Sequence, residues 1–209
     1  MNKTQTAVAI FDKRANEYQA KFMDVNLYSD SFDLFCSHVT MKNANILEIA
    51  CGPGNITNYL LNKRPDFKIL GIDLSPNMIG LAKINNPTAE FQLMDCKHID
   101  AIIKKYEAIM CGFGLPYLSK EETAKFICDA STLLKPKGVL YISTMEDDYS
   151  QSGLKTSSAG DQMYIYYHQA DELILTLKEN GFTIIDLQRI EYLAAGGTKT
   201  IDLLLLAQK

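Results

Sequence analysis

The sequence ILEIACGPGN, residues 46–55, sets a carboxylate, Glu48, in an apolar run and follows it with Gly52, Pro53 and Gly54. The first half is typical of a buried strand, and the glycines predict a tight turn into a helix. Because glycine has no Cβ and the N–H groups at a helix N-terminus point outward, a ligand can approach such a turn closely. A turn that binds no ligand gives the same pattern, so the glycines alone leave both interpretations open.

Outward from this turn, short runs rich in Ile, Val and Leu alternate with helical patterns from residue 44 onward. This alternation predicts parallel strands joined by crossover helices. Ser75-Pro76 and the capping box from Ser119 to Glu122 mark the start of two of these helices. The predicted strands are residues 45–50, 68–73, 89–94, 107–112, 138–144, 182–191 and 199–207.

Two segments fall outside this alternation. Residues 1–43 look helical and could pack over the edge of the sheet, which suggests a helical cover for a main domain at residues 44–209. Residues 146–162 are almost entirely polar, and a surface loop of this length is typically a functional lid or disordered. We expect this loop and the N-terminal helices to form a mobile cover over a bound ligand.

Composition limits the classes of protein that remain. With 209 residues, of which 47% are hydrophobic, the chain can bury one core and is too short for two ordinary enzyme domains. A formal charge of -4 makes nucleic acid an unlikely partner. The five cysteines lack metal-site or disulfide spacing, and no apolar run is long enough to cross a bilayer. We therefore expect a cytoplasmic protein with no metal, no membrane contact and no export signal.

A dinucleotide-binding G-x-G-x-x-G motif is the obvious competitor for the glycine turn. It fails in both registers, because the position of the third glycine holds Thr57 in one and Asn55 in the other. Glu48 would also repel a pyrophosphate, whereas it could attract a ligand ammonium group directly or through water. The pattern therefore favours a ligand that carries an amine.

Acidic residues end the next two predicted strands. Asp73 follows Gly54 by 19 residues, and its two oxygens could accept both hydroxyls of a ribose. Asp95 could accept a hydrogen bond from an adenine amino group. Either residue alone could equally be a helix cap or a turn residue, but three acids at successive strand ends favour a nucleoside site.

In these motifs the chain resembles the class I S-adenosylmethionine-dependent methyltransferases. FDKRANEY near the N-terminus is also similar to the helical lead-in of that family. The similarity lies in the runs ILEIACGPGN, GIDLSPNMI, AEFQLMDCKHI, KYEAIMCGFGLPYLS and LLKPKGVLYIS, which span residues 46–144 in the family's order.

The resemblance implies a site for S-adenosylmethionine and its product S-adenosylhomocysteine. Ala50 departs from the family, which usually has a glycine there, and a slightly shifted backbone could weaken binding. The implied residues are Glu48, Ala50, Gly52 and Gly54 around the methionine part, Asp73 and Leu74 at the ribose, Met78, Asp95 and Cys96 at adenine, and Cys111 and Gly112, whose carbonyls would meet the ammonium group.

Few residues could act on a methyl acceptor. A general base is needed only if the acceptor must lose a proton, and the histidines are His38, His98 and His168. His168 follows the run MYIYY, in a segment that similar enzymes use to line the acceptor pocket. We therefore predict an acceptor pocket formed by His168, Tyr117, Tyr167 and Tyr18, with His168 as candidate base.

These observations together predict a doubly wound α/β fold with a seven-stranded, mostly parallel sheet, the last strand antiparallel, helices on both faces and an N-terminal helical cover. The expected activity is methyl transfer to a small molecule, by a monomer or homodimer. CGFGLPY after the fourth strand differs from the N-P-P-Y motif of enzymes that methylate nucleic-acid bases. A catalytically silent cofactor-binding protein and a protein methyltransferase remain the alternatives.

Overall fold

The fold consists of a seven-stranded sheet with helices on both faces and a separate two-stranded hairpin. The computed structural model describes residues 2–157, 159–193 and 199–209. In chain order, the strands are β1 (Asn45–Ile49), β2 (Lys68–Asp73), β3 (Glu90–Leu93), β4 (Tyr106–Cys111), β5 (Leu134–Glu146), β6 (Gly153–Thr156), β7 (Gln162–Ile165), β8 (Thr183–Leu193) and β9 (Lys199–Gln208).

The strand order of the large sheet is β3-β2-β1-β4-β5-β9-β8. The pairs from β3 to β5 are parallel, and β9 is antiparallel to both of its neighbours, β5 and β8. The predicted sheet is therefore confirmed, including its antiparallel last strand. The chain winds outward from β1 in one direction and from β4 in the other, so a crevice opens between their C-terminal ends. Open α/β sheets bind ligands at such a switch point.

Seven α-helices are described, and the predicted caps begin two of them. The Ser75 hydroxyl accepts a hydrogen bond from Met78 N at 3.1 Å, with proline at the first helical position. Ser119 and Glu122 form the complete capping box. The helices are α1 (Lys3–Lys13), α2 (Ala15–Phe22), α3 (Ser29–His38), α4 (Asn55–Lys63), α5 (Pro76–Asn85), α6 (Lys120–Leu133) and α7 (Ala170–Glu179).

Two apolar layers hold the helices to the sheet. Successive strand residues face opposite sides, so Leu47 packs with α6 and α7 while Ile46 packs with α3 and α4. The aromatic rings of Phe32 and Phe35 on α3 are almost fully buried and pack against Tyr141 of β5. The N-terminal region was expected at the sheet's edge, but α3 covers a sheet face, because its phenylalanines lie at helical spacing and fill that layer.

The segment 146–162 was expected to be a surface loop, and part of it is paired instead. β6 and β7 form an antiparallel hairpin, with Gly153 opposite Ile165. The hairpin is mostly exposed, so its sequence lacks the apolar alternation by which a half-buried strand is recognised. Ser158, which lies in the expected loop, falls outside the described residues.

Two absences apply to the part of the chain that the structure describes. No helix there has both the length and the apolar character needed to cross a membrane. No three histidine, cysteine, aspartate or glutamate side chains there come together as a metal-binding group.

Candidate functional site

One pocket opens at the C-terminal ends of β1, β2, β3 and β4, beneath α1. Its empty volume, including the mouth, is about 870 Å³, within the range of small-molecule and cofactor sites. Ten residues predicted from the sequence line it. They are Tyr18, Ala50, Gly52, Asp73, Leu74, Met78, Asp95, Cys96, Gly112 and Tyr117.

The glycine turn forms the pocket's floor. Ala50 and Gly52 have φ angles of 53° and 52°, in the left-handed region that side chains disfavour. A Cβ at Gly52 would meet only a Tyr18 ring carbon at 3.8 Å, so the turn is open to a ligand. Gly54 has another role, because a Cβ there would lie 2.3 Å from the Asn86 amide nitrogen. Gly54 therefore allows the turn to pack against the end of α5 and does not line the pocket.

Asp73 joins two turns at the end of β2. Its Oδ2 accepts a hydrogen bond from Gly52 N at 2.9 Å, and its Oδ1 accepts one from Ser75 N at 2.8 Å. Burial raises the pKa of this carboxyl, and the two backbone N–H groups partly oppose the shift. An ionised carboxylate has about four lone-pair sites, so both oxygens can still accept from a ligand.

Asp95 is a capping residue and also lines the pocket. Its Oδ1 accepts a hydrogen bond from Lys97 N at 2.9 Å and so caps the short 3-10 turn that follows, while its side chain also lines the pocket. Cys96 lies beside it, and burial raises the pKa of that thiol to about 12. Met78 is almost fully buried and lines the same pocket.

Glu48 lies beneath the pocket and does not line it. The Thr57 hydroxyl of α4 donates a hydrogen bond to Oε2, whereas Oε1 has no partner among the described residues. With the side chain 1% exposed, burial raises the pKa of this carboxyl to about 8. Such an unpaired buried oxygen is costly, and a bound cation or a bridging water would stabilise it.

The end of β4 forms the opposite side of the pocket. Cys111 is fully buried and does not line the cavity, whereas Gly112, Phe113 and Gly114 do. A Cβ at Gly112 would lie 2.2 Å from Ile56 Cδ1, so the backbone there approaches α4 closely. Phe113 has a φ of 56°, held by a hydrogen bond from its N–H to Ser143 Oγ at 3.0 Å.

Helix α1 roofs the pocket, and the sequence did not predict its lining residues. Thr4, Val8 and Phe11 face the cavity from one side of the helix. Asp12 attaches the roof to α5, because it accepts hydrogen bonds from Ser75 Oγ at 2.7 Å and Asn77 N at 2.9 Å. The apolar stripe at helical spacing was the available signal, but a stripe does not specify which surface it covers.

Aromatic side chains line the pocket next to the glycine turn. The Phe11 ring meets Tyr18 and Tyr117 edge-on, with centroids 5.7 and 5.2 Å away. Burial raises the pKa of Tyr18 to about 12 and also raises that of Tyr117, so both hydroxyls stay protonated at neutral pH. Neither hydroxyl has a hydrogen-bond partner among the described residues.

The structure does not bring the four predicted acceptor residues together. Tyr18 and Tyr117 line the pocket, but Tyr167 and His168 do not. The His168 ring is 2% exposed, and its Nε2 lies 3.1 Å from the Leu115 carbonyl, to which it can donate. Burial lowers the pKa of His168. Since the ring is buried against the Leu115 carbonyl, it does not face the pocket.

Comparisons with known proteins agree with this geometry. A methyltransferase domain family matches residues 46–138. A putative methyltransferase, 235L, of Invertebrate iridescent virus 6 is 33% identical over 101 residues, which are 48% of this chain and 37% of the viral protein. Trans-aconitate 2-methyltransferase of Variovorax paradoxus (strain S110) is 40% identical over 99 residues, 47% of this chain and 38% of that enzyme.

Solved structures resemble the whole chain. Magnesium protoporphyrin IX methyltransferase from Synechocystis PCC 6803, crystallised with S-adenosylhomocysteine, superposes with a TM-score of 0.74 at 14% identity and covers 100% of both chains. A [4+2]-cyclase, SpnF, has a TM-score of 0.67 at 16% identity, over 87% of this chain and 81% of its own. At this identity the likeness establishes the fold and leaves the reaction open.

The predicted resemblance is confirmed: a methyltransferase domain family matches residues 46–138, and the chain has the fold of the class I S-adenosylmethionine-dependent methyltransferases. The chain spans 37–47% of the length of the first curated relatives it matches. Other relatives are named for malonyl-[acyl-carrier protein], demethylmenaquinone and a tRNA cytidine. The domain is therefore shared by proteins named for different acceptors.

Proposed function

We propose that the protein transfers a methyl group from S-adenosylmethionine to a small-molecule acceptor. The observation that carries this proposal is the meeting of Asp73, Asp95 and the open Gly52 turn around one cavity. These groups could bind the ribose, the adenine and the amino-acid part of one nucleoside ligand.

The donor groups in the pocket fit this cofactor. Asp73 would accept the ribose hydroxyls, Asp95 the adenine amino group, and Met78 would pack on the base. The unpaired Oε1 of Glu48 beneath the turn suits a ligand ammonium group, reached through water. When bound, the cofactor supplies a methyl group on a cationic sulfur, and the protein's task is to hold an acceptor in line with it and exclude water.

A small acceptor suits the closed pocket better than a macromolecule does. Helix α1 lies over the cavity, and the chain's net charge of -4 gives no general attraction for nucleic acid. Relatives named for small acids and quinones support this choice, while the relative named for a tRNA makes nucleic acid a class to be tested directly.

The cover is part of the same proposal. We expect residues 1–43 to act with the domain at residues 44–209, and the cover itself to consist of α1 and α2, since α3 is built into the core. The chemistry needs no second chain, so a monomer and a homodimer both remain compatible with it.

Calorimetry tests the cofactor. S-adenosylmethionine and S-adenosylhomocysteine should bind and NAD should not. Asp73→Asn should lower the affinity for S-adenosylhomocysteine at least tenfold, which corresponds to about 1.4 kcal/mol of binding free energy. Asp100→Asn, on an exposed carboxylate outside the pocket, is the matched control. NAD binding without S-adenosylhomocysteine binding would overturn the proposal.

The second candidate is a cofactor-binding protein without methyl transfer, a possibility that the cyclase with this fold keeps open. It predicts S-adenosylhomocysteine binding but no release of this product from S-adenosylmethionine in an acceptor screen. Acceptor-dependent product release would exclude it.

A further inference from the structure

Two tyrosines line the pocket, and neither of their hydroxyls has a hydrogen-bond partner among the described residues. Tyr18 comes from α2 and lies over the glycine turn, and Tyr117 follows β4. The Phe11 ring contacts both tyrosine rings edge-on, which restricts their orientation. Because both hydroxyls stay protonated at neutral pH, each offers one hydrogen-bond donor to an acceptor molecule.

The described lining contains no group suited to remove a proton from an acceptor. No histidine or glutamate lines the pocket in the described part of the chain. Lys97 lines it, but its Nζ donates to Thr4 Oγ1 and Glu122 Oε1. Cys96 also lines it, and burial raises the pKa of its thiol to about 12. Asp73 and Asp95 line it as well, but both accept backbone hydrogen bonds that hold the turns and, under the proposed function, face the nucleoside. An alcohol or an ammonium acceptor must lose a proton before or during transfer. An acceptor that is already ionised need not.

We propose that the methyl acceptor is a small carboxylate whose reacting oxygen is held by the hydroxyls of Tyr18 and Tyr117. This inference rests on the proposed function and names the substrate class of the same site. A carboxylate oxygen accepts several hydrogen bonds, so it can take one from each tyrosine and keep a lone pair for reaction.

The reaction balances without a base. A lone pair of the carboxylate oxygen forms the bond to the methyl carbon, the methyl–sulfur bond breaks, and its electron pair stays on sulfur. The products are a methyl ester and S-adenosylhomocysteine, and no proton moves. The tyrosine hydroxyls are therefore positioning groups, and the negative charge of the acceptor is attracted to the cationic sulfur.

Binding to the protein saturated with S-adenosylhomocysteine tests the inference without turnover. Benzoate, succinate and trans-aconitate are the carboxylate probes, and benzylamine and 1,4-diaminobutane are the amine probes. At least one carboxylate should bind at least tenfold more tightly than either amine. Tighter binding of an amine, or no binding of any carboxylate, would overturn the inference.

Phenol deletion then tests the two hydroxyls. Tyr117→Phe and Tyr18→Phe should each lower the affinity for the carboxylate probe five- to tenfold. The affinity for S-adenosylhomocysteine should change less than twofold. Tyr59→Phe is the matched control, since that hydroxyl donates to Asp33 at 2.7 Å on the surface of α4. Equal carboxylate affinity in all three variants would contradict the assignment.

The product identifies the acceptor atom. With radiolabelled S-adenosylmethionine and the best carboxylate, the label should enter a methyl ester that mild base hydrolyses. Label in a base-stable product would overturn the inference but leave the proposed function standing. Failure to bind S-adenosylhomocysteine at all would instead overturn the proposed function.

Discussion

Glu48 and Ala50 are each unfavourable residue types for the positions that they occupy. Glu48 carries an ionisable group in a buried strand, with one oxygen unpaired in the described structure. Ala50 has a positive φ, which costs a residue with a side chain about 1–2 kcal/mol. Strain and unpaired polar groups concentrate at functional sites, and both of these flank the proposed cofactor.

The ionisation of Glu48 should make the free protein less stable as the pH rises. Burial raises the pKa of this carboxyl from its ordinary 4.5 to about 8, so the folded protein retains a proton that the unfolded chain releases. Stability from this group is therefore present below about pH 4.5 and is lost as the pH approaches 8. Glu48→Gln should flatten this decline in urea unfolding measured from pH 5 to 8. Parallel curves for the two proteins would contradict the buried, unpaired state.

Replacing Ala50 by glycine should cost little. The relief of the left-handed strain, about 1 kcal/mol, offsets the entropy that glycine adds to the unfolded chain, about 0.4–1 kcal/mol. Ala108→Gly, at a buried position of β4 in the same sheet, relieves no backbone strain. It should therefore lower the free energy of unfolding by about 1 kcal/mol. Urea unfolding measures both, and equal losses would show that the Ala50 backbone is unstrained.

At the scale of elements, α1 is held over the pocket by polar contacts at both ends. Lys3 Nζ lies 3.0 Å from the Tyr166 hydroxyl and 3.4 Å from the centre of the Tyr164 ring on β7. Arg14 pairs with Asp161, which precedes β7. These contacts are partly exposed, so we expect each to contribute little to holding the roof in place.

Breaking the Arg14–Asp161 pair should loosen the roof without unfolding the protein. Arg14→Ala should speed hydrogen exchange in α1. It should lower the affinity for S-adenosylhomocysteine by at most about fivefold, since a partly exposed ion pair contributes under about 1 kcal/mol. Arg189→Ala removes an ion pair with Glu146, neither residue of which lines the pocket, and is the control. If exchange in α1 is the same in both variants, the pair does not hold the roof.

At the scale of the whole molecule, the N-terminal region divides into a cover and a core helix. Phe35 of α3 is 0% exposed and belongs to the layer that includes Ile46 of β1 and Leu60 of α4. Phe11 of α1, in contrast, is half-buried and faces the pocket. The same stretch of sequence thus contributes to global stability at one end and to the site at the other.

Alanine substitutions should separate these two roles. Phe35→Ala should lower the free energy of unfolding by about 3–5 kcal/mol, the usual loss for a buried phenylalanine. Phe11→Ala should lower the free energy of unfolding by less than half of that amount. It should lower the affinity for S-adenosylhomocysteine more than Phe35→Ala does, because the Phe11 ring lines the cavity. Urea unfolding and calorimetry on both variants measure this contrast. Comparable losses of stability would mean that α1 is as much a part of the core as α3.

The sequence by itself determined the parallel sheet, its crossover helices and the pocket residues at the strand ends. These follow from local patterns: short runs rich in Ile, Val and Leu, helix caps, and a glycine turn at the end of a strand. Ten of the predicted residues, Asp73 and Asp95 among them, therefore line the pocket. The hairpin β6–β7 was missed because exposed strands carry no apolar alternation.

Only the tertiary structure decided which distant elements meet. The roof α1 lies over the pocket and packs against α5 and β7 although it precedes both by more than 50 residues, and no periodicity specifies that contact. The tertiary structure also places Tyr18 and Tyr117 at the pocket, whereas it buries His168 against the Leu115 carbonyl. A side chain's direction depends on which surface its element packs against, and long-range packing alone sets that.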